Sequence, residues 1–124
     1  MIRLLAIAGA GALGALARYG LTGTAQRWFP TGFPGGTLVV NLVGCFLLGL
    51  LATLGLERLT LSPTTRTAVL VGFLGAFTTF STFGYETLVL LREGDLSRAG
   101  LNVALSVGLG IAACWVGVVV AAKV

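Results

Sequence analysis

The 124-residue sequence contains no histidine, few charges and only three prolines. Without histidine, the chain lacks the side chain that most often shuttles protons near neutral pH. Cys45 and Cys114 lie in separate apolar runs without metal-ligand spacing, so we interpret both as small apolar residues and expect no disulfide. The eight basic residues occur singly and not as a block, which argues against a nucleic-acid partner.

What the chain has in abundance is apolar surface. Hydrophobic residues make up 56% of the sequence, and the mean hydropathy is +1.01. Four apolar segments, near residues 2–21, 36–56, 67–91 and 99–122, each approach the ~20 residues needed to cross a bilayer as a helix. All three prolines fall between them. We therefore predict an all-α membrane protein, with residues 1–124 forming one domain of four transmembrane helices in the lipid bilayer.

We expect the first apolar segment to form a membrane span. It continues through Arg18 without a polar cleavage region, so we expect a span and not a cleaved signal peptide. Ala6, Ala10 and Gly14 form a face of small residues that permits close helix contact. The Arg18 side chain either extends to the membrane surface or places a positive charge at the mouth of an aqueous cavity.

The basic residues are divided evenly between the two ends of the predicted bundle. Four spans put Arg3, Arg58, Arg66 and Lys123 on one side and Arg18, Arg27, Arg92 and Arg98 on the other, four against four. Because an excess of Lys and Arg sets orientation, a balanced count predicts insertion in both orientations. A weak bias remains the alternative if Arg18 does not count. Two oppositely inserted copies would form an antiparallel homodimer, with the symmetry that larger transporters carry internally.

Asn41 is the one strongly polar residue of the second span. An unpaired amide in apolar surroundings costs a few kcal/mol, so Asn41 either bonds another helix or faces an aqueous pathway. In the fourth span, Asn102 and Ser106 lie on one helix face with Gly110 and Cys114, at intervals of four. Their polar groups either continue such a pathway or form interhelical hydrogen bonds.

The third span combines length with poor helix formers at its centre. Residues 67–91 would form a helix of roughly 37 Å, longer than the ~30 Å core requires. Gly75, Thr78 and Thr79 favour a break in the middle of the membrane. The carbonyls freed by a break need a partner, and a small cation is one candidate. The alternative is a continuous helix whose hydroxyls bond back to the preceding turn.

Phe80 and Phe83, three residues apart, lie on nearly the same face of this span, with Ser81 and Thr82 between them. The positive edges of phenyl rings, together with hydroxyl and amide donors, can hold an anion that has lost its water. The alternative is that both rings fill the core of the bundle. Glu86 is expected near a vestibule, where its carboxylate stays hydrated. The alternative is that it is an acidic residue of the pathway itself.

The run Gly75-Ala76-Phe77-Thr78-Thr79-Phe80-Ser81-Thr82-Phe83 resembles the hallmark of the Fluc/CrcB family of fluoride channels. Gly14-Ala15-Leu16-Ala17-Arg18-Tyr19 is similar to the family's first-helix arginine motif, and Asn41-Leu42-Val43-Gly44 to its second-helix asparagine motif. The resemblance covers essentially the whole chain. Two positions depart from it: Ala76 replaces the second glycine of the usual pair, and Asn102 stands where the family often has tyrosine.

The resemblance implies a passive fluoride channel in the bacterial plasma (inner) membrane that lowers fluoride toxicity. It implies an antiparallel homodimer with two pores along the subunit interface. Asn41, Phe80 and Phe83 would line each pore, together with Thr79, Ser81, Thr82, Ser106 and Asn102. A structural sodium ion (Na+) would be bound by the carbonyls of Gly75 and Thr78 from both copies.

Two other classes of membrane protein compete with a channel. Small dual-topology drug/proton exchangers need a carboxylate in the first helix, and this first helix has none. A membrane interaction protein without transport would leave the hydroxyl and phenyl run of the third span without a purpose. An enzyme is not expected, and no P-loop is present for ATP coupling.

Overall fold

The computed structural model describes residues 1–57 and 61–124, without the side chains of residues 56 and 57. Four of its helical segments are long and apolar enough to cross a membrane: Ile2–Gln26, Gly35–Gly55, Pro63–Arg92 and Leu96–Lys123. The predicted four-helix architecture is thereby confirmed in number and order. The helices extend beyond the apolar spans, because polar residues at the helix ends can still form backbone hydrogen bonds of the helix.

The helices are bounded as follows: α1 Ile2–Gln26, α2 Gly35–Glu57, α3 Pro63–Thr67, a π-helical segment Ala68–Leu74, α4 Gly75–Phe77, α5 Phe80–Arg92 and α6 Leu96–Lys123. Two N-terminal caps explain why the third and fourth spans start before the apolar runs do. Ser62 accepts a hydrogen bond from Thr65 N–H with proline at the first helical position, and Asp95 accepts one from Arg98 N–H.

The third span is interrupted at its midpoint, so the alternative of a continuous helix is wrong. Gly75 itself is helical, and the chain becomes extended three residues later, at Thr78 and Thr79 (φ −87°, ψ 160° and φ −151°, ψ 113°). The Thr78 hydroxyl donates to the Leu74 carbonyl at 3.0 Å and ends the first half. The Thr79 hydroxyl accepts from Thr82 N–H and begins α5. The break therefore lies at the two threonines, between these hydroxyl bonds, and not at the glycine.

Small residues let the helices pack in two close pairs. In the first pair, α1 lies against the π-helical segment, and a side chain at Gly14 would collide with the Phe73 backbone. In the second pair, α2 lies against α6, where a side chain at Gly49 would collide with the Cys114 backbone and one at Gly117 with Phe46. The small-residue face predicted on α1 therefore includes a helix contact at Gly14.

A single chain buries little of its apolar surface. The buried hydrophobic residues include Val40, Leu74, Phe77 and Leu90, while large side chains on every span remain exposed, among them Leu4, Leu48, Val71 and Ile111. This is the surface of a protein that contacts lipid or another membrane chain.

The two ends of the bundle can be assigned from contacts between helices. Arg3 donates a hydrogen bond to the Thr67 hydroxyl, so the start of α1 and the start of the third span share one end. At the other end, Arg98 lies close to the turn at Gly32. Of the predicted charge partition, Arg58 lies outside the described residues.

Candidate functional site

Asn41 on α2 closes the break in the third span. Its Nδ2 donates to the Thr79 carbonyl at 2.9 Å, and its Oδ1 accepts from Thr79 N–H at 2.8 Å. In an unbroken helix, the Thr79 N–H would donate a hydrogen bond to the Gly75 carbonyl. The side chain of Asn41 thus replaces part of the helical backbone pairing. Gly44, one turn further along α2, leaves room for the Thr78 methyl group.

A cleft of about 330 Å³ opens beside this pairing. It is lined by Asn41, Gly44, Cys45, Leu48, Leu70, Leu74, Gly75, Thr78, Thr79, Phe80, Phe83, Ser106 and Val107. The rings of Phe80 and Phe83 have centroids 5.5 Å apart and planes inclined at 50°. Phe80 is 82% exposed, so its ring does not fill the core of a single chain. The cleft therefore combines phenyl edges with an amide and hydroxyls.

Ser106 contributes a polar atom to the same cleft. Its hydroxyl oxygen is buried and has no hydrogen-bond partner among the described residues. A buried hydroxyl without a partner is costly, and it can donate to a ligand in the cleft.

Asn102 lies elsewhere, although it shares a face of α6 with Ser106. It is 1% exposed, it does not line the cleft, and its Nδ2 donates to the Thr87 hydroxyl at 2.9 Å.

Three hydroxyls cluster at the start of α5. The Thr79 hydroxyl donates to Thr82 Oγ1 at 2.9 Å and lies 3.4 Å from Ser81 Oγ. Thr79 is buried, whereas Ser81 and Thr82 are exposed on the single chain. Thr79 thus connects the cleft to a run of exposed donors along one side of α5.

A second cavity, of about 750 Å³, lies on the other side of Thr79. Its polar lining includes Arg18, Thr22, Thr24, Arg27, Thr37, Thr79, Thr82 and Glu86. Thr37 donates to Glu86 Oε1 at 2.9 Å, while Glu86 Oε2 is buried without a partner in the described structure. Two arginines and one glutamate line this cavity, so its net charge is positive and we call it the vestibule.

The sequence had singled out Arg18 and Glu86 but not Arg27 or Thr37, which share the vestibule with them. Thr37 could have been noticed as a polar residue at the start of an otherwise apolar span. Arg27 gave no such signal, because an arginine just after a span is common in any membrane protein.

Gly75 and Thr78 both line the cleft, on the side formed by the end of the first half-span. Gly75 is exposed, and a side chain there would have only the Leu70 carbonyl at 4.0 Å as a neighbour. Of the two extended residues of the break, Thr79 has its carbonyl paired with Asn41, whereas no hydrogen bond to the Thr78 carbonyl is found among the described residues outside the regular helices.

Four apolar helices, one of them interrupted at its midpoint beside a cleft with polar groups, define a small multi-pass membrane protein with a polar cleft at a helix break. The family model described as CrcB-like protein, Camphor Resistance (CrcB), matches residues 5–118. The chain belongs to this family, and it is a multi-pass membrane protein of bacterial type.

Several relatives carry the name fluoride-specific ion channel FluC. The relative from Methylococcus capsulatus is 52% identical over 122 residues, which are 98% of this chain and 54% of that protein. The relative from Geobacter sp. strain M21 is 47% identical over 98% of both chains, and that from Geobacter sulfurreducens is 46% identical over 98% of both. This chain therefore spans about half of the Methylococcus protein and nearly all of each Geobacter protein.

Proposed function

We propose that the protein is a fluoride-selective ion channel, and not an enzyme, through which fluoride leaves the cytoplasm passively. The observation that carries this proposal is the cleft in which Phe80 and Phe83 present their rings beside Asn41 and the unpartnered Ser106 hydroxyl. Fluoride is small and strongly hydrated, so its pathway must offer close donors in place of water. Neutral donors do this without the full positive charge that would hold the ion too tightly.

The names of the relatives support the same ion. A small exchanger is less well supported, because α1 carries no carboxylate.

The proposed path runs from the vestibule past Thr79 into the cleft. Arg18 and Arg27 raise the local concentration of anions at its mouth. The hydroxyls of Ser81 and Thr82 then offer donors at the start of α5, and that of Thr79 joins them when its proton leaves the bond to Thr82 Oγ1. In this proposal Ser106 lines the path and Asn102, enclosed within the chain, does not.

We expect liposomes that contain the purified chain to release fluoride down its gradient, with little release of chloride and none of a lipophilic cation. A fluoride electrode and a chloride electrode outside the vesicles measure both halides. Equal release of both halides, or proton-coupled movement of the lipophilic cation, would contradict a fluoride channel.

A second, inverted copy is part of the proposal. The cleft is open on one side, and Phe80 is 82% exposed on the single chain. An antiparallel homodimer would cover both and enclose two paths along its interface. The even partition of basic residues supports insertion in both orientations.

The residues at the break fit a structural sodium ion. Backbone carbonyls are ligands suited to a hard monovalent cation, and Gly75 and Thr78 both line the cleft. One chain offers two such oxygens, so a complete set requires both copies. When bound, sodium would supply positive charge that joins the two helix breaks.

Replacing sodium by a large organic cation is expected to lower the thermal unfolding midpoint of the purified dimer. Thr78→Ala should retain this sodium dependence, because the proposed ligand is a backbone oxygen and not the hydroxyl. A midpoint indifferent to sodium after long dialysis would contradict the sodium site while leaving the channel intact.

A further inference from the structure

Asn102 is joined to the backbone of Phe83 through Thr87. The Asn102 Nδ2 donates to Thr87 Oγ1 at 2.9 Å, and the Thr87 hydroxyl donates to the Phe83 carbonyl at 2.7 Å. A threonine hydroxyl has one proton, so once it has donated to Phe83 it can only accept from a neighbour. The NH2 group of Asn102 supplies that donor. The three groups form a chain from α6 to the residue whose ring lines the cleft.

We propose that Asn102 and Thr87 are positioning residues for the anion path: they set the placement of α5, and through it the Phe83 ring. The proposal rests on the proposed channel function. Neither residue touches the cleft, so neither binds the ion directly.

The need for such a link follows from how weakly α5 is packed. Leu90 is the one buried residue of this 13-residue helix in the described structure. Within one chain, apolar contacts therefore do little to fix its rotation or its position along its axis.

Hydrogen bonds from other helices fix α5 in place of apolar contacts. Asn41 holds the chain at Thr79, just before α5 begins, and Asn102 holds Thr87 eight positions further on, roughly 12 Å along the axis. Thr37, through Glu86, provides a further attachment beside Thr87. Phe80 and Phe83 lie between the first and last of these points. One anchor before the rings and one after them determine the rotation of α5 and its position along its axis.

The burial of Asn102 makes this anchor strong. At 1% exposure its amide cannot exchange Thr87 for water, so breaking the link leaves a buried donor unpaired. A role in packing alone predicts that loss of the link weakens the fold but leaves the surviving dimers fully selective. A positioning role predicts that correctly assembled dimers conduct differently.

The test compares purified variants in the liposome assay, with fluoride and chloride release measured on the same vesicles. Thr87→Val keeps the shape of the side chain and removes the hydroxyl, and Asn102→Leu removes the donor at similar volume. Each should lower fluoride release per dimer roughly tenfold, a size typical of coupled neighbours, and reduce the ratio of fluoride to chloride release. Thr87→Ser retains the hydroxyl and should restore both values. The double variant Thr87→Val/Asn102→Leu should be no worse than either single variant.

Thr67 provides a matched control. Its hydroxyl also donates to the carbonyl four residues earlier, that of Pro63 at 2.8 Å, and also accepts from another helix, from Arg3 at 2.8 Å. It lies away from the cleft. Thr67→Val should therefore change neither the rate nor the halide ratio.

The outcomes separate the two proposals. If wild-type vesicles release no fluoride, the channel function fails and the positioning role fails with it. If the wild type conducts, and dimeric Thr87→Val and Asn102→Leu match it in rate and in halide ratio, only the positioning role is overturned. Should the branched replacements fail to assemble, Thr87→Ala and Asn102→Ala are compared in the same way. Failure of these as well, with Thr67→Val intact, would identify the link as purely structural and overturn the proposal.

Discussion

At the scale of single residues, two amide side chains each donate to a backbone carbonyl and accept from a backbone N–H, in different parts of the structure. Asn41 pairs with both the N–H and the carbonyl of Thr79 beside the cleft. Gln26 donates to the Phe33 carbonyl at 2.8 Å and accepts from Gly36 N–H at 2.9 Å, in the connection between α1 and α2. The two residues allow a structural effect to be separated from an effect on the ion.

Asn41→Asp is expected to reduce fluoride release sharply. The aspartate can still accept from Thr79 N–H, but it loses the donor to the Thr79 carbonyl and places a negative charge in the proposed anion path. The measurement is fluoride release per dimer after gel filtration. Gln26→Glu makes the same chemical change outside the cleft, so its folded dimers should conduct like the wild type. Equal release from dimeric Asn41→Asp would exclude Asn41 from the path.

Phe80→Ile and Phe83→Ile test whether the ring edges bind the ion. Both replacements keep apolar bulk and remove the positive edge, so we expect intact dimers with much lower fluoride release. Tyr85 is an exposed aromatic residue on the same helix that does not line the cleft, and Tyr85→Leu serves as the control for release. Wild-type rates in both phenylalanine variants would remove the rings from the pathway.

Phe77 provides the opposite comparison for stability. Its ring is 4% exposed and stacks on Phe73 with centroids 5.9 Å apart. Phe77→Ile should therefore lower the unfolding free energy by about 1–2 kcal/mol through the space it leaves. Phe80→Ile, on a ring that is exposed on the single chain, should lower it less. A thermal melt of the two variants under identical conditions distinguishes them.

At the scale of helices, close backbone contact depends on glycine at particular positions and not on glycine content. A side chain at Gly14 would collide with the Phe73 carbonyl, which belongs to the backbone and cannot move aside. Gly9 lies on the same helix with open space around it. The two positions look equivalent in the sequence, and the packing of α1 on the π-helical segment separates them.

Gly14→Ala is expected to destabilise the protein, because it forces α1 away from the π-helical segment. Gly9→Ala should be neutral or stabilise α1 by up to about 1 kcal/mol, the difference in helix propensity between the two residues. Thermal unfolding of the two variants in the same detergent gives the comparison. If both shift the midpoint equally, the contact at Gly14 is not tight.

At the scale of the whole molecule, the helices form two close pairs, α1 with the π-helical segment and α2 with α6, and their outer surfaces stay apolar. The residues of greatest chemical interest, such as Phe80 and Gly75, lie at the surface of one chain and not in its interior. This arrangement supports a second copy as part of the functional unit.

Insertion in both orientations predicts that a reporter fused to the C-terminus appears on both sides of the membrane, since the charge count is balanced. Two arginines added to one loop should shift the reporter to one side and make the variant dependent on an oppositely biased copy. Compartment-specific labelling of the fusion measures the ratio. A reporter found on one side alone in the wild type would exclude the antiparallel dimer.

The sequence by itself determined the features that depend on local composition. Hydropathy over some twenty residues is a property of each segment alone, so it was enough to predict four spans and their order. Threonines beside a glycine in an overlong third span likewise predicted a break, because poor helix formers act where they stand. The run around Phe80 and Phe83 was specific enough to indicate the family.

Only the tertiary structure decided which polar groups meet. Asn41 and Thr79 are 38 positions apart, and nothing local to either residue specifies their pairing. Asn102 and Ser106 are four residues apart and therefore lie on one face of α6. Asn102 is nevertheless enclosed against Thr87, whereas Ser106 lines the cleft. The position of each depends on how α6 packs against α2 and α5. That packing is set by contacts among side chains that are distant in the sequence. The periodic pattern could therefore identify the polar face of α6, but not which of its polar groups faces the cleft.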